Sequence, residues 1–492
     1  MGKYLIAVDQ STQGTKALLF DETGTLIARE DLPHEQKISA DGWVSHNPEE
    51  IYQNTVTVMR KLIENNKVPH DQLAGIGLCN QRETAVMWDR ETGKPLADAV
   101  VWQCARATDV CKRAQIKDRS AVIEEKTGLK LSPYFTAAKI TWLIENTEGA
   151  TEKSEQNQLC HGTMDSFLIY RLTGGKEYRT DYSNAARTML FNIVDLKWDE
   201  EICSLFGIQA GNLPTVTDSD ACFGTTNLEG YLDQEIPIHA VLGDSNGALF
   251  GQGCVRPGMV KATYGTGSSI MMNIGDEVKR SAGGLVTSIG WKRAGKVSYV
   301  MEGNLNYTGA VITWLKDDLQ LIKSPKETEQ LAQNATKDDS LYLVPSFSGL
   351  GAPFWDSQAK AMICGMDRTT RKPEIVRAAL ECIAYQINDI VETMKTDAGI
   401  PIEALRVDGG PTKNQYLMNF QSDIIGTEVN IPAAEELSGI GAAYMAGEAL
   451  GLWDEKILTS LKRTSYMPKM QADVRRGKVE GWKSAVGMVL HH

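Results

Sequence analysis

Residues 5 to 24 read LIAVDQSTQGTKALLFDETG, an apolar run that ends in Asp9, breaks into small and polar residues, and resumes as a second apolar run. A carboxylate at a strand end suits a hydrated divalent cation such as Mg2+, which takes one or two carboxylates and completes its shell with waters and phosphate oxygens. Asp9 beside Lys16 has that chemistry, although an Asx turn next to a surface lysine has the same spelling. Asp244, in IHAVLGDSNGALFGQG, also follows an apolar run and faces the start of a helix. It can serve as a general base toward a hydroxyl, or simply as the helix N-cap. Arg82 and Glu83 in NQRETAVMWD form an adjacent donor and acceptor that suit vicinal hydroxyls. Trp102 in AVVWQCAR offers a flat apolar face, and Tyr134 in SPYFTAAK offers another wall. Taken singly, these also read as a surface ion pair and as core aromatics. Glycine- and hydroxyl-rich turns at 11–15, 265–268, 350–353 and 409–412 present backbone N–H groups able to wrap anionic oxygens. No GxxxxGK[ST] occurs and no GxGxxG follows the first strand, so the pattern is neither a P-loop nor a dinucleotide fingerprint. Two of the turns hold matching places in the two halves, which points to a nucleotide cleft between domains.

The elements that must position these residues alternate between strand and helix. After Asp21, ETGTLIARED reads as a turn and a return strand. NPEEIYQNTVTVMRKLIENN has Asn47 to cap, Pro48 in the first turn, and Ile51, Val56, Met59 and Leu62 at helical spacing. LAGIGLCNQRETAVMWD gives a buried strand, a polar corner and a second strand, and the alternation indicates an α/β class. MVKATYGTGSSIMMNIGDEV, at 259–278, repeats the opening plan. This is either a duplication into two related α/β domains, 1–250 and 251–492, or a coincidence of common hairpin turns. ALRVDGGPTKNQYLMNFQSDIIG places Asp408 at another strand end, and SGIGAAYMAGEALGLW is small enough along its length to pack closely on a sheet.

Composition sets the outer bounds. A chain of 492 residues is too long for one core. With 42% hydrophobic and 23% charged residues it has an ordinary soluble balance. A net charge of −12 leaves no basic surplus for nucleic acid, though it does not bear on a small anion in a local cleft. No window of about 18 apolar residues free of charge is present, so no membrane span is expected. The opening MGKYLIAVD turns polar too quickly for a secretory leader. The nine cysteines contain no CxxC and the histidines no HExxH, which fits reduced thiols in a cytoplasm rather than a disulfide or zinc framework.

Together the segments DQSTQGTKALLFD, NQRETAVMWDRETGKPLADAVVWQC, RTMLFNI, GDSNGALFGQGCVRPGMVKATYGTGSS, PSFSGLGAPFWD and VDGGPTKNQYLMNFQSDIIG resemble the FGGY carbohydrate kinases. The NQRET and VVWQ stretches are similar to the glycerol-kinase form of that family. The resemblance covers almost the whole chain. It implies an actin-like, ribonuclease H-like pair of domains, with ATP and a small polyol or ketose meeting in the cleft between them. It places Asp244 on the catalytic base, and Arg82, Glu83, Trp102, Tyr134, Ser245 and Ser269 on the acceptor side. Thr12, Gln13 and Lys16 fall in the first phosphate loop, Thr266 and Gly267 in the second, and Gly309, Thr313, Gly410 and Asn414 on nucleotide contacts. Mg2+ would be tethered through Asp9 and Asp244, and a homodimer or homotetramer fits the family.

The sequence departs from the family in places. Lys16 stands where Arg is usual, which keeps the charge but gives up a bidentate fork. Ser11, Gln13 and Gly14 also depart from the usual turn. Ser245 replaces Gln and Ser269 replaces Phe; both changes remove bulk and suit an acceptor longer than glycerol. The Gly/Arg loop that binds fructose 1,6-bisphosphate in some relatives has no counterpart in TTNLEGYLDQEIPI, and a phosphorylated histidine of others is Cys222 here. A true glycerol kinase, an actin-like assembly ATPase, and a sugar-binding protein without turnover are the competing readings. The NQRET corner with Trp102 argues against the second, and retention of both Asp9 and Asp244 against the third.

Overall fold

The computed structural model describes residues 3–336 and 340–491. Two mixed sheets organise the chain. The first contains β1 (Tyr4–Gln10), β2 (Gly14–Phe20), β3 (Leu26–Pro33), β4 (Leu73–Asn80), β5 (Cys222–Thr226) and β6 (Ile236–Gly243), in the spatial order β5-β6-β4-β1-β2-β3. The second contains β7 (Met259–Tyr264), β8 (Ser268–Gly275), β9 (Val286–Arg293), β10 (Lys296–Leu305), β11 (Ala404–Gly409), β12 (Val429–Pro432) and β13 (Arg463–Tyr466), in the order β9-β10-β8-β7-β11-β12-β13. In each, an antiparallel hairpin (β1–β2 or β7–β8) has a parallel neighbour on its first strand, β4 or β11. The hairpin repeat visible in the sequence is thus a repeat of topology. The halves differ in one respect: β8 pairs next with β10, whereas β2 pairs with the strand that directly follows it.

β1 reads as an unbroken apolar run because both of its faces are covered. Leu5 and Ala7 join one core, with Leu18 and Phe20, while Ile6 and Val8 join another, with Ile51 and Val56. Helix α1 (Pro48–Asn65) supplies those last two residues; the Asn47 side chain accepts from the Glu49 N–H and caps it as the sequence indicates. Helix α2 (Thr136–Asn146) buries its apolar face in a third core under the polar corner. The strand after that corner, Val86–Asp89, leaves the main sheet and pairs instead with Leu159–Gly162.

Helices α3 (Asp244–Gly251) and α4 (Leu437–Ala449) share a core that takes Leu5 and Phe20 from the first sheet and Met259 and Val300 from the second. Their crossing depends on glycine. A Cβ on Gly441 would come within 1.9 Å of the Gly247 carbonyl oxygen, and one on Gly251 within 2.4 Å of that of Leu437. Although α4 is late in the chain, it lies on the first sheet, where a Cβ on Gly77 of β4 would meet the Ala442 carbonyl oxygen at 2.5 Å. No helix among the described residues is long and apolar enough to cross a membrane.

Candidate active site

A cleft of about 600 Å³ opens between the sheets. Arg82, Glu83, Trp102, Tyr134, Asp244, Ser245 and Ser269 all line it, so residues far apart in the chain converge on one space. β6 carries Asp244 there. Gly243 occupies the cap position and Asp244 is the first residue of α3, so the N-cap reading of Asp244 is corrected. Its Oδ1 accepts from the Ser245 N–H at 2.6 Å and stands 3.6 Å from Arg82 Nε. Enclosure in the cleft raises the Asp244 carboxyl above its ordinary value, and the Arg82 charge opposes that shift.

Asp9 ends β1 on the same side. Burial pushes its carboxyl up to about 6, Lys16 opposes the rise, and the nearby Asp244 charge adds to it. Cys79 Sγ donates to Asp9 Oδ1 at 3.4 Å. The Asp244 charge that adds to the rise at Asp9 marks a local concentration of negative charge suited to a small hard cation. Among the described residues no group of three or more His, Cys, Asp or Glu could hold a metal, so any such ion would lean on these two carboxylates plus waters and ligand oxygens.

The Arg82–Glu83 corner is not the open donor–acceptor pair expected from the sequence. The Arg82 fork is occupied: Nη1 and Nη2 donate to the two Glu302 carboxylate oxygens at 3.0 and 2.8 Å. Arg187 Nε donates to Glu83 Oε1, and Arg187 Nη1 lies 3.2 Å from Glu302 Oε2. All four side chains are at most 5% exposed. Burial alone would raise the Glu302 carboxyl, but Arg187 and Arg82 hold it far below the carboxylate range. What reaches the cleft is therefore the Nε edge of Arg82 and the free side of Glu83, both braced from behind. Glu302 and Arg187 escaped the sequence reading. Their signal was a glutamate inside the apolar run SYVMEG of β10, where a charge buried on both faces demands a partner.

On the phosphate side, Trp102 Nε1 donates to Thr12 Oγ1 at 2.9 Å and ties the aromatic wall to the first turn. Thr12 lines the cleft, whereas Gln13 is exposed. Lys16 lies in β2 rather than in the turn. Its Nζ is 2.7 Å from Glu436 Oε2 and it does not line the cleft, so the free phosphate-facing cation expected there is instead a tethered one. The second turn is strapped from behind, with Gly309 N–H donating to the Gly265 carbonyl at 3.0 Å and Ala310 N–H to that of Thr266 at 2.9 Å. Gly267 lines the cleft while Thr266 is exposed at the tip.

Gly309, Thr313, Gly410 and Asn414 come together in a second cavity of about 430 Å³, walled by Ile312, Leu380, Ile383 and Leu417. Such an apolar slot fits a flat ring better than a phosphate. Asn414 is committed structurally as well: its Oδ1 caps the helix Gln415–Ile425 through the Leu417 N–H, and its Nδ2 donates to Thr328. The turn at 350–353 lines neither space; its residues 350–352 border instead a small recess shared with Asn304–Tyr307.

Known proteins share this fold. Residues 4–251 match the N-terminal domain model of the FGGY family of carbohydrate kinases and residues 260–450 its C-terminal domain model. The chain is 44% identical to a glycerol kinase of Carboxydothermus hydrogenoformans, over 98% of this chain and 97% of that one. It is 43% identical to glycerol kinase 2 of Thermotoga maritima, over 99% of each. The solved structure of Plasmodium falciparum glycerol kinase with ADP superposes with a TM-score of 0.94 at 36% identity, covering 100% of this chain and 99% of that one. A xylulose kinase of Lactobacillus acidophilus shares the fold, with a TM-score of 0.87 at 22% identity over 99% of this chain and 97% of that one. Two strand-hairpin sheets, a carboxylate-bearing cleft between them, and matches running nearly end to end lead to one assignment: the chain belongs to the FGGY family of carbohydrate kinases.

Proposed function

We propose that the enzyme transfers the γ-phosphoryl group of ATP to a terminal hydroxyl of a small polyol or ketose, with the bodies built on the two sheets closing on the two substrates; the division at 250 drawn from the sequence is crossed by α4, which lies on the first sheet. One observation carries the reading: Asp244 stands in a polar, aromatic-walled cleft whose Gly265 is tied by a backbone hydrogen bond to Gly309 of a separate apolar slot of nucleotide size. The acceptor oxygen attacks the γ-phosphorus, its proton passes to Asp244, and the bond from the γ-phosphorus to the β,γ-bridging oxygen breaks with its electron pair leaving on ADP. The raised Asp244 carboxyl is a better proton acceptor than an ordinary aspartate, and Arg82 Nε keeps it oriented. Thr12, Gly267 and the N–H groups of both turns would hold phosphate oxygens in line. Asp9 and Asp244 would hold Mg2+, which neutralises charge on the phosphates when bound. Closure expels water, the competing acceptor.

The acceptor supported by this cleft is longer than glycerol. Ser269 Oγ, on the cleft wall, is buried without a hydrogen-bond partner, and Ser245 adjoins the base. A buried hydroxyl left unpaired is costly, and rotation of Ser269 toward the cleft on closure would let an extra hydroxyl of a four- or five-carbon acceptor satisfy it. The names of the close relatives support glycerol itself as the second reading. A coupled ADP-release screen over three- to six-carbon polyols and ketoses separates the two. The expected result is a kcat/KM for some tetritol, tetrulose, pentitol or pentulose about tenfold or more above that for glycerol. Glycerol as the best substrate overturns the larger acceptor, and ADP release indifferent to every acceptor overturns the kinase reading.

A further inference from the structure

Behind the acceptor wall lies a lysine that the phosphoryl transfer itself does not use. Lys139, on α2, is fully buried. Its Nζ donates to the backbone carbonyl of Glu83 at 3.3 Å, to that of Phe135 at 3.4 Å, and to that of Tyr134. Thr136 Oγ1 donates to the same Glu83 carbonyl at 3.2 Å. No carboxylate among the described residues pairs with Lys139, so the ammonium is held entirely by main-chain oxygens. An ammonium taken out of water without a counter-ion is expensive, and three converging carbonyls are the compensation.

The same contacts constrain a strained residue. Glu83 has φ +61°, a left-handed conformation uncommon for residues other than glycine. Arg187 holds its carboxylate, and Lys139 with Thr136 holds its carbonyl. One side-chain nitrogen therefore bridges two separate stretches of chain, the corner that carries Glu83 and the loop that carries Tyr134. Both residues line the cleft.

We propose that Lys139 is a positioning residue for the acceptor: its ammonium cross-links the Glu83 corner to the Tyr134 loop and so sets the spacing of the two groups that grip the acceptor, touching neither acceptor nor nucleotide. The inference rests on the acceptor role of Glu83 and Tyr134. The protonation state of the lysine sharpens it. Burial pulls the Lys139 pKa down to about 7. The titratable groups that face it are Glu83 from the corner, Cys104 and Cys111 from the stretch before α2, and the Tyr134 phenol, whose ring centre is 5.9 Å from Nζ. Protonated, Nζ has three N–H groups for three carbonyls; neutral, it has two, and its lone pair faces an oxygen. The bridge is therefore complete below about pH 7 and weakened above it.

The test uses the full chain and its best acceptor from the screen. Lys139→Met is expected to raise the acceptor KM about tenfold or more, because small misplacements of binding groups are costly, while leaving the ATP KM within about twofold. In the wild type the acceptor KM should climb as pH rises through about 7 with the ATP KM flat, and Lys139→Met should lose that climb. Thr136→Val, which removes one donor from the Glu83 carbonyl and leaves the lysine in place, should shift the acceptor KM in the same direction by a smaller factor. It serves as the test if the methionine variant fails to fold. Acceptor and ATP KM rising together, or an acceptor KM unmoved in both variants, overturns the positioning role. Wild-type protein with no acceptor-dependent ADP release overturns the functional reading and this inference with it; turnover with an unsplit KM overturns the inference alone.

Discussion

Across the β1–β2 ladder Asp9 faces Lys16; across β7–β8 the corresponding pair is Thr263 and Ser269. Around the first hairpin the ties are ionic, with Lys16 and Arg29 both reaching Glu436 beside α4. Around the second they are main-chain, with residues 308–310 donating to the carbonyls of Gly265 and Thr266. The two hairpins share a backbone plan and differ in chemistry. Turn N–H groups supply anion contacts in either half whatever the side chains. Side chains beside the turns are then free to differ, one pair a carboxylate facing an ammonium and the other two hydroxyls, of which that of Thr263 bonds Asp408.

Substitutions that strike the charged side should cost most. Asp244→Asn is expected to lower kcat by about 10²–10⁴-fold, as loss of a general base does, with ATP affinity preserved because the amide leaves α3 intact. Turnover above about a tenth of wild type, in a steady-state assay, would remove Asp244 from that role. Arg82→Ala deprives buried Glu302 of its fork and should destabilise the fold by about 3–5 kcal/mol in denaturant unfolding, while raising the acceptor KM and sparing that of ATP. A loss of ATP affinity instead would put the corner on the nucleotide side.

The hairpin contrast itself is tested by paired variants. Asp9→Asn should reduce kcat about a hundredfold and raise the Mg2+ concentration needed for half-maximal rate. Thr263→Val, its counterpart in the second hairpin, removes a hydroxyl that bonds the buried Asp408 carboxylate rather than a phosphate or metal, and should stay within about threefold. Equal losses would erase the distinction between the hairpins. Ser269→Phe, a change confined to the neutral side, should move the ratio of kcat/KM between a larger acceptor and glycerol about tenfold toward glycerol, or about 1.4 kcal/mol. An unmoved ratio would mean that position 269 does not set acceptor size.

Much of the scaffold was legible from local spacing. The Asn47 cap, the two hairpins, and the small residues of α4 that let it lie close on a sheet follow from neighbouring residues, since caps, turns and close approach are short-range requirements. Local pattern also put Asp9, Asp244 and Asp408 at strand ends, the edge of an α/β sheet where ligands bind. The alternative reading of Asp244 as the cap falls for a local reason too: the helix begins at Asp244 itself, and Gly243 takes the cap.

What the sequence by itself determined, then, is which residues are strand, turn and helix, and which side chains are exceptional in those settings. Which of them meet was decided only by the packed sheets. Arg82 and Glu302 are 220 positions apart and Lys16 and Glu436 are 420 apart, separations at which no periodicity carries information. A charged residue in a strand is spelled alike whether it faces water or a buried partner. The outcome depends on whether the opposing sheet removes its solvent, because only a desolvated charge must find a counter-charge or a set of carbonyls. That is why Arg82 reads as a free hand in the sequence and is a braced one in the fold, and why Lys139, unremarkable among the residues of α2, becomes the tie between two walls of the cleft.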